Sequence, residues 1–170
     1  MDGPGERSFA DSAIKINFGP KNLHINGFEN SDGSLYTAEK GYGWDKNITA
    51  SIRQRNTNNI PEFDTVITVA HDETQATFTM DLPNGEYYVT AVAGDPVYPT
   101  FFNAYPQDNV LLGKTDIPAS HSVQFGKHIK ITNHQLRLRL NRPLSKDGLS
   151  LAYLVAEKWD DVSEAIKLQE

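Results

Sequence analysis

Short runs in which apolar and polar residues alternate recur along this chain, and clusters of turn residues separate them. Residues 63–69, 75–80 and 87–93 are three such runs in the middle of the sequence. Alternation with a period of two is typical of a half-buried β-strand. Helical character is confined to residues 159–168. About nine short strands with closely spaced turns predict an all-β fold, an antiparallel β-sandwich or jelly roll.

Turn residues predict both a tight turn and a region of long loops. The pair Asn84-Gly85 lies between two predicted strands, and Asn-Gly is typical of a tight hairpin turn in which the glycine has a positive φ. Residues 21–60 instead contain scattered glycines among Asn, Asp and Ser. We therefore expect long loops there, with one or two short strands, and a long loop in a compact domain often carries function.

The length of 170 residues fits one domain that can bury its own core. We expect a flexible N-terminal segment at 1–13, the sandwich at 14–157 and a C-terminal tail or linker at 158–170.

Composition excludes several classes of protein. The net charge of −6 argues against a nucleic-acid partner, which needs Lys and Arg to neutralise phosphates. Basic residues do gather late in the chain, but Arg137 and Arg139 alternate with leucines and so predict the solvent-facing side of a strand. The absence of cysteine excludes disulfides and thiolate chemistry. Apolar runs are far shorter than the ~20 residues of a membrane helix, so we expect no membrane partner.

Several segments match a known pattern in order and spacing over roughly residues 14–156. They are Ile16-Asn17-Phe18-Gly19-Pro20, Tyr42-Gly43-Trp44, Arg53-Gln54-Arg55-Asn56, Phe63-Asp64-Thr65-Val66-Ile67, Leu82-Pro83-Asn84-Gly85-Glu86-Tyr87-Tyr88-Val89 and Ala93-Gly94-Asp95-Pro96-Val97-Tyr98. In these the chain resembles carbohydrate-binding β-sandwiches of the galactose-binding and malectin-like type. Such modules are appended to bacterial polysaccharide lyases, agarases and rhamnogalacturonan esterases. Residues 101–106 depart from the pattern as an aromatic-rich insertion.

The resemblance implies a non-catalytic module that binds a plant or algal polysaccharide or oligosaccharide and targets an attached catalytic domain. Aromatic residues of the early loop and after the long strand face the sugar in such modules, which carries that role to Tyr42, Trp44 and Tyr98. Sugar rings stack on flat aromatic faces, while charged and amide groups bind the hydroxyls. The candidate ligand-binding residues are Tyr42, Trp44, Arg53, Arg55, Asp95, Tyr98, Phe101 and Tyr105.

Structural roles compete with these functional ones. An aromatic side chain in a sandwich more often belongs to the core, and we assign Phe18, Phe63, Phe78, Tyr87 and Tyr88 there. For Trp44 and Tyr98, in predicted loops, both roles stay open. Arg53 and Arg55 point to the same side if extended, and either could form an ion pair with Asp64 or Asp95.

Signals for catalysis are poor. The five histidines form no i, i+4 pair, and no G-x-S-x-G motif is present. We expect no catalytic residue and no cofactor. A structural calcium stays open, with the loop carboxylates Asp11, Asp32 and Asp147 as candidate ligands. The alternative functions are a structural or protein-interaction and adhesion domain, and a small polysaccharide-active hydrolase or lyase.

The N-terminal residues 1–12 are polar and lack the apolar region of a signal peptide. Either the protein is cytoplasmic or a signal peptide has been removed. The expected polysaccharide ligand favours the second interpretation, a secreted, extracellular protein.

Overall fold

Strands account for most of the regular structure in the computed structural model, which describes residues 8–57, 60–69 and 75–169. The strands are β1 (Ile14–Phe18), β2 (Glu29–Ser31), β3 (Tyr42–Trp44), β4 (Ile52–Gln54), β5 (Thr65–Val69), β6 (Gln75–Asp81), β7 (Gly85–Ala93), β8 (Thr100–Tyr105), β9 (Gly113–Ile117), β10 (Val123–Ile131), β11 (Gln135–Asn141), β12 (Leu149–Leu151) and β13 (Tyr153–Lys158). Short 3-10 helices span Thr49–Ser51, Pro61–Phe63 and Trp159–Asp161, and α1 spans Glu164–Lys167. In the described ranges, no helix is long and apolar enough to cross a membrane.

The strands form two sheets, which confirms the predicted all-β sandwich. The five-stranded sheet has the order β10-β7-β13-β1-β2, and the eight-stranded sheet has the order β3-β6-β11-β8-β12-β5-β4, with β9 paired to β8. Pairing is antiparallel except between β1 and β2 and between β8 and β12. The strands β2 and β3 are each at the edge of their sheet, and the two edges adjoin, because Tyr42 Oη of β3 donates to the Asn30 carbonyl of β2.

The core lies between the sheets and is built by the alternation seen in the sequence. In β11 the inward residues Leu136, Leu138 and Leu140 are buried, whereas Arg137 is exposed. The aromatic rings of Phe18 and Phe78 meet edge to face with centroids 5.0 Å apart. Burial of each large apolar side chain contributes about 1.5–3 kcal/mol, so this layer dominates the stability of the domain.

A second apolar cluster lies on the opposite side of the five-stranded sheet, around Phe63 and Tyr153. Phe9 and Ala13 pack against it from the N-terminal segment. The backbone N–H of Ala10 donates to Glu157 Oε2 at 3.0 Å, and Ser12 Oγ donates to Asp161 Oδ2 at 2.6 Å. Residues 8–13, expected to be flexible, are thus docked on the sheet.

The tail that begins at Lys158 also packs against the domain. Lys158 is the last residue of β13, and Val162 is buried. The Trp159 ring stacks on His128 of β10, with ring centroids 3.7 Å apart and planes inclined by 4°. Residues 158–169, expected to be a tail or linker, therefore pack against the sandwich.

The Asn84-Gly85 segment differs from the predicted hairpin. Gly85 has the expected positive φ, +147°. However, β6 belongs to the eight-stranded sheet and β7 to the five-stranded one, so the chain crosses between sheets here. The crossing is tied to the turn before β11, because Asn84 Oδ1 accepts a hydrogen bond from the N–H of His134 at 2.8 Å.

Residues 101–106, the aromatic-rich departure from the family pattern, belong mostly to β8 inside the eight-stranded sheet. Ala104 of β8 pairs with Leu140 on one side and with Gly113 on the other. Phe102 points into the core and is fully buried. The aromatic residues of this stretch therefore pack within the fold, on the two faces of a central strand.

Candidate ligand-binding site

Arg55 and Asp95 form a two-point ion pair at the ends of β4 and β7. Arg55 Nε donates to Asp95 Oδ1 at 3.0 Å, and Nη2 donates to Oδ2 at 2.5 Å. The Asp95 side chain is fully buried, and that of Arg55 is 17% exposed. A planar guanidinium matches a carboxylate in this geometry, so the pair fixes the orientation of both groups. Asp95 was one of the two partners expected for this arginine.

The same carboxylate orders the loop that carries Tyr98. Asp95 Oδ1 accepts hydrogen bonds from the N–H of Val97 at 2.8 Å and from that of Tyr98 at 3.3 Å. The guanidinium carbon of Arg55 lies 4.9 Å from the centre of the Tyr98 ring. The tyrosine is still 57% exposed. We call Arg55, Asp95 and Tyr98 the Tyr98 platform, an exposed aromatic ring backed by a fixed cation.

Two neighbouring loops border the Tyr98 platform. Ser120 donates from its N–H to the Asp95 carbonyl at 3.1 Å and from Oγ to the Pro96 carbonyl at 2.8 Å. In the segment that follows Arg55, the N–H groups of Asn56 and Thr57 donate to Asp64 at 3.0 and 2.8 Å. These hydrogen bonds hold in place the chain segments that adjoin Asp95 and Arg55.

The prediction that Trp44 contacts a ligand is wrong, because this side chain is only 1% exposed. Trp44 lies opposite Phe78 in the β3–β6 pair, with ring centroids 5.3 Å apart, and 5.6 Å from the ring of Phe18. Directly opposite residues of paired strands point to the same face of a sheet, so Trp44 points into the core with Phe78. The predicted platform of Tyr42, Trp44 and Tyr98 is therefore not formed.

Tyr42 lies in a groove between the edge strands β2 and β3. Its Oη donates to the Asn30 carbonyl at 3.3 Å, and Lys40 Nζ lies 5.2 Å from its ring centre. Burial raises the pKa of Tyr42, and the negative charges of Glu29 and Asp32 raise it further. Tyr42, Glu29 and Lys40 line both of two adjoining hollows of about 320 and 260 Å³. This groove is built around an aromatic ring between charges of opposite sign.

The remaining candidates, Phe101, Tyr105 and Arg53, lie outside the Tyr98 platform. Phe101 is 2% exposed beneath Lys146, which corrects the expectation that it is open to a ligand. Tyr105 is half-buried, with the Arg139 guanidinium 4.5 Å from its ring centre. Arg53 is exposed and donates to the carbonyl oxygens of Ala50 and Ile52 at 2.6 and 2.9 Å. Of the two arginines, Arg55 is the one that joins the Tyr98 platform.

The described residues contain no group of three or more His, Cys, Asp or Glu side chains that could hold a metal ion. Asp32, a candidate calcium ligand, accepts a hydrogen bond from the N–H of Ser34 at 3.0 Å. Burial opposes ionisation of Asp32, but hydrogen bonds from Ser34 and the charge of Lys40 outweigh it, so its pKa is lowered. Calcium binding stays a prediction that chelation can test.

Ser120, which fixes the Tyr98 platform, was not identified from the sequence. Its φ of +65° allows both of its hydrogen bonds to the 95–96 segment. The available signal was the Asp95-Pro96 pair, because an aspartate before a turn commonly accepts hydrogen bonds from the backbone two residues on. Nothing in the local sequence indicates that the loop after β9 meets this turn.

No protein-family model matches the sequence, and no curated protein matches it either. Among solved structures, the chain is similar to the Bacillus subtilis protein YxiM, with a TM-score of 0.62 and 19% identity over 86% of this chain and 40% of that one. It is similar to a calcium-binding mutant of Bacteroides uniformis β-glucuronidase 2, with a TM-score of 0.60 and 11% identity over 86% of this chain and 18% of that one. It is also similar to the plant receptor-like kinase FER, with a TM-score of 0.55 and 10% identity over 86% of this chain and 42% of that one.

At these identities the likeness concerns the fold. The chain spans 40% of the length of YxiM and smaller or similar fractions of the other two proteins. The fold therefore occurs as a part of longer proteins of different kinds, and the function of this chain has to be argued from its own residues.

Proposed function

We propose that the protein is a non-catalytic carbohydrate-binding module whose main ligand contact is the exposed ring of Tyr98. The observation that carries the proposal is the combination of 57% exposure with a fixed position on Arg55. A flat aromatic face is the group on which the apolar C–H side of a sugar ring stacks. The polar loops beside the ring supply hydrogen-bond partners for sugar hydroxyls.

The rigidity of the Tyr98 platform favours binding over a merely exposed side chain. Two ionic hydrogen bonds hold Arg55, and the buried Asp95 carboxylate holds the backbone of Tyr98. A side chain that is already ordered loses less conformational entropy when a ligand binds, so more of the contact energy appears as affinity. This arrangement supports recognition without requiring a chemical step.

The proposal also covers the ligand, the location of the protein and an attached domain. We propose that the target is a plant or algal polysaccharide, that the protein is secreted, and that it acts beside an attached catalytic domain. The occurrence of this fold within longer chains, including a glucuronidase, supports that organisation.

Isothermal titration calorimetry against a panel of neutral and acidic polysaccharides tests the proposal. Loss of one stacking contact is worth about 1 kcal/mol, so we expect Tyr98→Ala to weaken binding about fivefold or more. Tyr98→Phe keeps the ring and should retain most of the affinity. Absence of binding across the panel, or equal affinity of Tyr98→Ala and the parent, would overturn it. Product formation on the same panel would favour the hydrolase or lyase alternative.

A further inference from the structure

The sequence contains the dipeptide Asn-Gly twice, at Asn26-Gly27 and at Asn84-Gly85. In this dipeptide the asparagine side chain lies next to a backbone N–H that no Cβ shields. The backbone nitrogen can therefore attack the side-chain amide carbon and close a five-membered ring. Both asparagines are exposed, so the local surroundings of each pair decide whether the ring can form.

Asn26-Gly27 lies at the tip of a tight turn that precedes β2. The N–H of Phe28 donates to the Ile25 carbonyl at 3.0 Å, and Gly27 has a φ of +84°, as is typical of the third residue of a type II turn. In the described part of the chain, the Asn26 side chain and the N–H of Gly27 have no hydrogen-bond partner. Both reacting groups are therefore available to approach each other.

Asn84-Gly85 is held in a different way. Asn84 Oδ1 accepts a hydrogen bond from the N–H of His134 at 2.8 Å, and Asn84 Nδ2 lies 3.4 Å from Nε2 of the same histidine. Gly85 is the first residue of β7 and lies opposite Ile131 of β10. The side-chain amide and the glycine are thus tied to different neighbours, and ring closure requires these contacts to break.

A cation lies beside the first of these two dipeptides. Lys15 Nζ is 3.9 Å from the point that a Cβ of Gly27 would occupy. The rings of Phe28 and Phe9 position this ammonium group, with their centres 5.3 and 5.9 Å from Nζ. Negative charge develops on the glycine nitrogen as it loses its proton, and then on the oxygen of the tetrahedral intermediate. A positioned positive charge at this distance stabilises both.

We propose that Asn26 is a site of spontaneous deamidation promoted by Lys15, whereas the fold protects Asn84. The Gly27 nitrogen loses its proton to hydroxide and forms a bond to Asn26 Cγ, and the bond from Cγ to Nδ2 breaks and releases ammonia. Water then opens the resulting succinimide at either carbonyl, which leaves aspartate or isoaspartate at position 26. The reaction consumes one water molecule, needs no oxidant or reductant, and adds one negative charge to the net charge of −6.

The modified position adjoins the sheet edge that carries Tyr42. Phe28 follows the turn, and its ring meets that of Tyr153 edge to face with centroids 5.7 Å apart. Two residues further on, the carbonyl of Asn30 in β2 accepts the hydrogen bond from Tyr42 Oη. The isoaspartate product carries one extra backbone carbon, so the reaction places a new charge and a longer backbone directly before β2.

Peptide mapping by mass spectrometry, after incubation of the intact protein at mildly alkaline pH, tests the proposal. Replacement of NH2 by OH raises the mass of the peptide, and labelling by an isoaspartyl methyltransferase marks isoaspartate. We expect Asn26 to react about tenfold faster than Asn84 in the folded protein, because Asn84 must first leave its contacts. In guanidinium chloride, where both turns are unfolded, the two rates should lie within about threefold of each other.

Substitutions of Lys15 separate the effect of its charge from that of its packing. Lys15→Gln should slow deamidation of Asn26 about threefold, whereas Lys15→Arg keeps the cation and should stay within about twofold of the parent. Lys114→Gln removes an exposed lysine of β9 in the other sheet, and this charge-matched control should leave the rate unchanged. Asn26→Gln should abolish the acidic species on ion exchange, because a six-membered ring closes far more slowly.

Two results would overturn the assignment of Asn26 as the reactive site. They are equal rates at Asn26 and Asn84 in the folded protein, and an Asn26 that stays intact while the denatured chain is modified. Equal rates in Lys15→Gln and the parent, or equal slowing by Lys15→Gln and Lys15→Arg, would overturn the role of the Lys15 cation. None of these measurements involves a polysaccharide, so their outcome is independent of the proposed carbohydrate-binding function.

Discussion

The guanidinium of Arg55 meets the fully buried carboxylate of Asp95 through two hydrogen bonds, of 3.0 and 2.5 Å, although the residues are 40 positions apart in sequence. The pair joins the end of β4, an edge strand of one sheet, to the end of β7 in the other. It therefore stabilises the fold and positions Tyr98 at the same time.

Arg55→Ala should destabilise the protein by about 3 kcal/mol, because it leaves the Asp95 carboxylate buried without its counter-charge. Urea unfolding at neutral pH measures the change in the free energy of unfolding. Arg53→Ala is a matched control: Arg53 is exposed and bonds only to nearby carbonyl groups, so its loss should change stability by less than about 0.5 kcal/mol. Similar effects of the two substitutions would show that the Arg55–Asp95 pair is not a major contact.

Trp44→Ala should lower the free energy of unfolding by about 3–5 kcal/mol, as expected when a buried aromatic side chain is removed. Tyr98→Ala removes an exposed ring and should lower it far less. Thermal melts of both variants give the comparison. A Trp44→Ala protein that melts with the parent would contradict the placement of this indole in the core.

Gly85 and Gly94 both have positive φ, +147° and +131°, but differ in their surroundings. A Cβ at Gly85 has no heavy atom within 4 Å, so Gly85→Ala should cost only the backbone strain, about 1 kcal/mol. A Cβ at Gly94 would overlap the carbonyl oxygen of His121, a backbone atom, so Gly94→Ala should cost about 3 kcal/mol or more. Equal denaturation midpoints for the two variants would contradict the close approach at Gly94.

Because the pKa of Tyr42 is raised, the free energy of unfolding should depend on pH in the alkaline range. Because folding raises this pKa above the unfolded value of about 10, the associated stability is present below pH ~10 and is lost as the pH rises through the folded pKa. The free energy of unfolding should therefore fall more steeply above pH ~10 in the parent than in Tyr42→Phe. Tyr36 and Tyr87, whose pKa values are also raised, are present in both proteins and cancel in the comparison. Parallel pH profiles would show that Tyr42 ionises as freely when folded as when unfolded.

A structural calcium, for which Asp11, Asp32 and Asp147 are the candidate ligands, would raise the melting temperature, since a ligand that binds only the folded state stabilises it. Melts in excess chelator, in millimolar calcium and in millimolar magnesium give the comparison. Equal melting temperatures in chelator and in calcium would contradict the calcium prediction.

Strands with strong alternation were predictable from sequence, because burial of one face imposes a period of two. The run at 87–93 corresponds to β7 and that at 135–140 to β11. The same rule shows why Tyr87 and Tyr88 could not both belong to the central core. Tyr87 is buried there, whereas Tyr88 faces outward, with its ring centroid 6.3 Å from that of Trp159.

Strand partners were less predictable, because pairing depends on residues distant in sequence. The Asn84-Gly85 pair has a local preference for positive φ, but whether the strands around it pair with each other is decided by the whole sandwich. The burial of Trp44 similarly depends on Phe78 in another strand. Arg55, Asp95 and Tyr98 were named as candidates from the sequence, Tyr98 through the family resemblance, and the structure shows that the three side chains lie together.

The contacts of Ala10 with Glu157 and of Ser12 with Asp161 bring the first and last described segments to one place on the molecular surface. A domain that a polypeptide enters and leaves at neighbouring points can be inserted into a surface loop of a host protein without forcing that loop apart. A short linker between these segments should equally permit circular permutation, with new termini opened in an exposed turn such as that between β10 and β11. The sandwich is thus suited to insertion into other proteins while the Tyr98 platform stays intact.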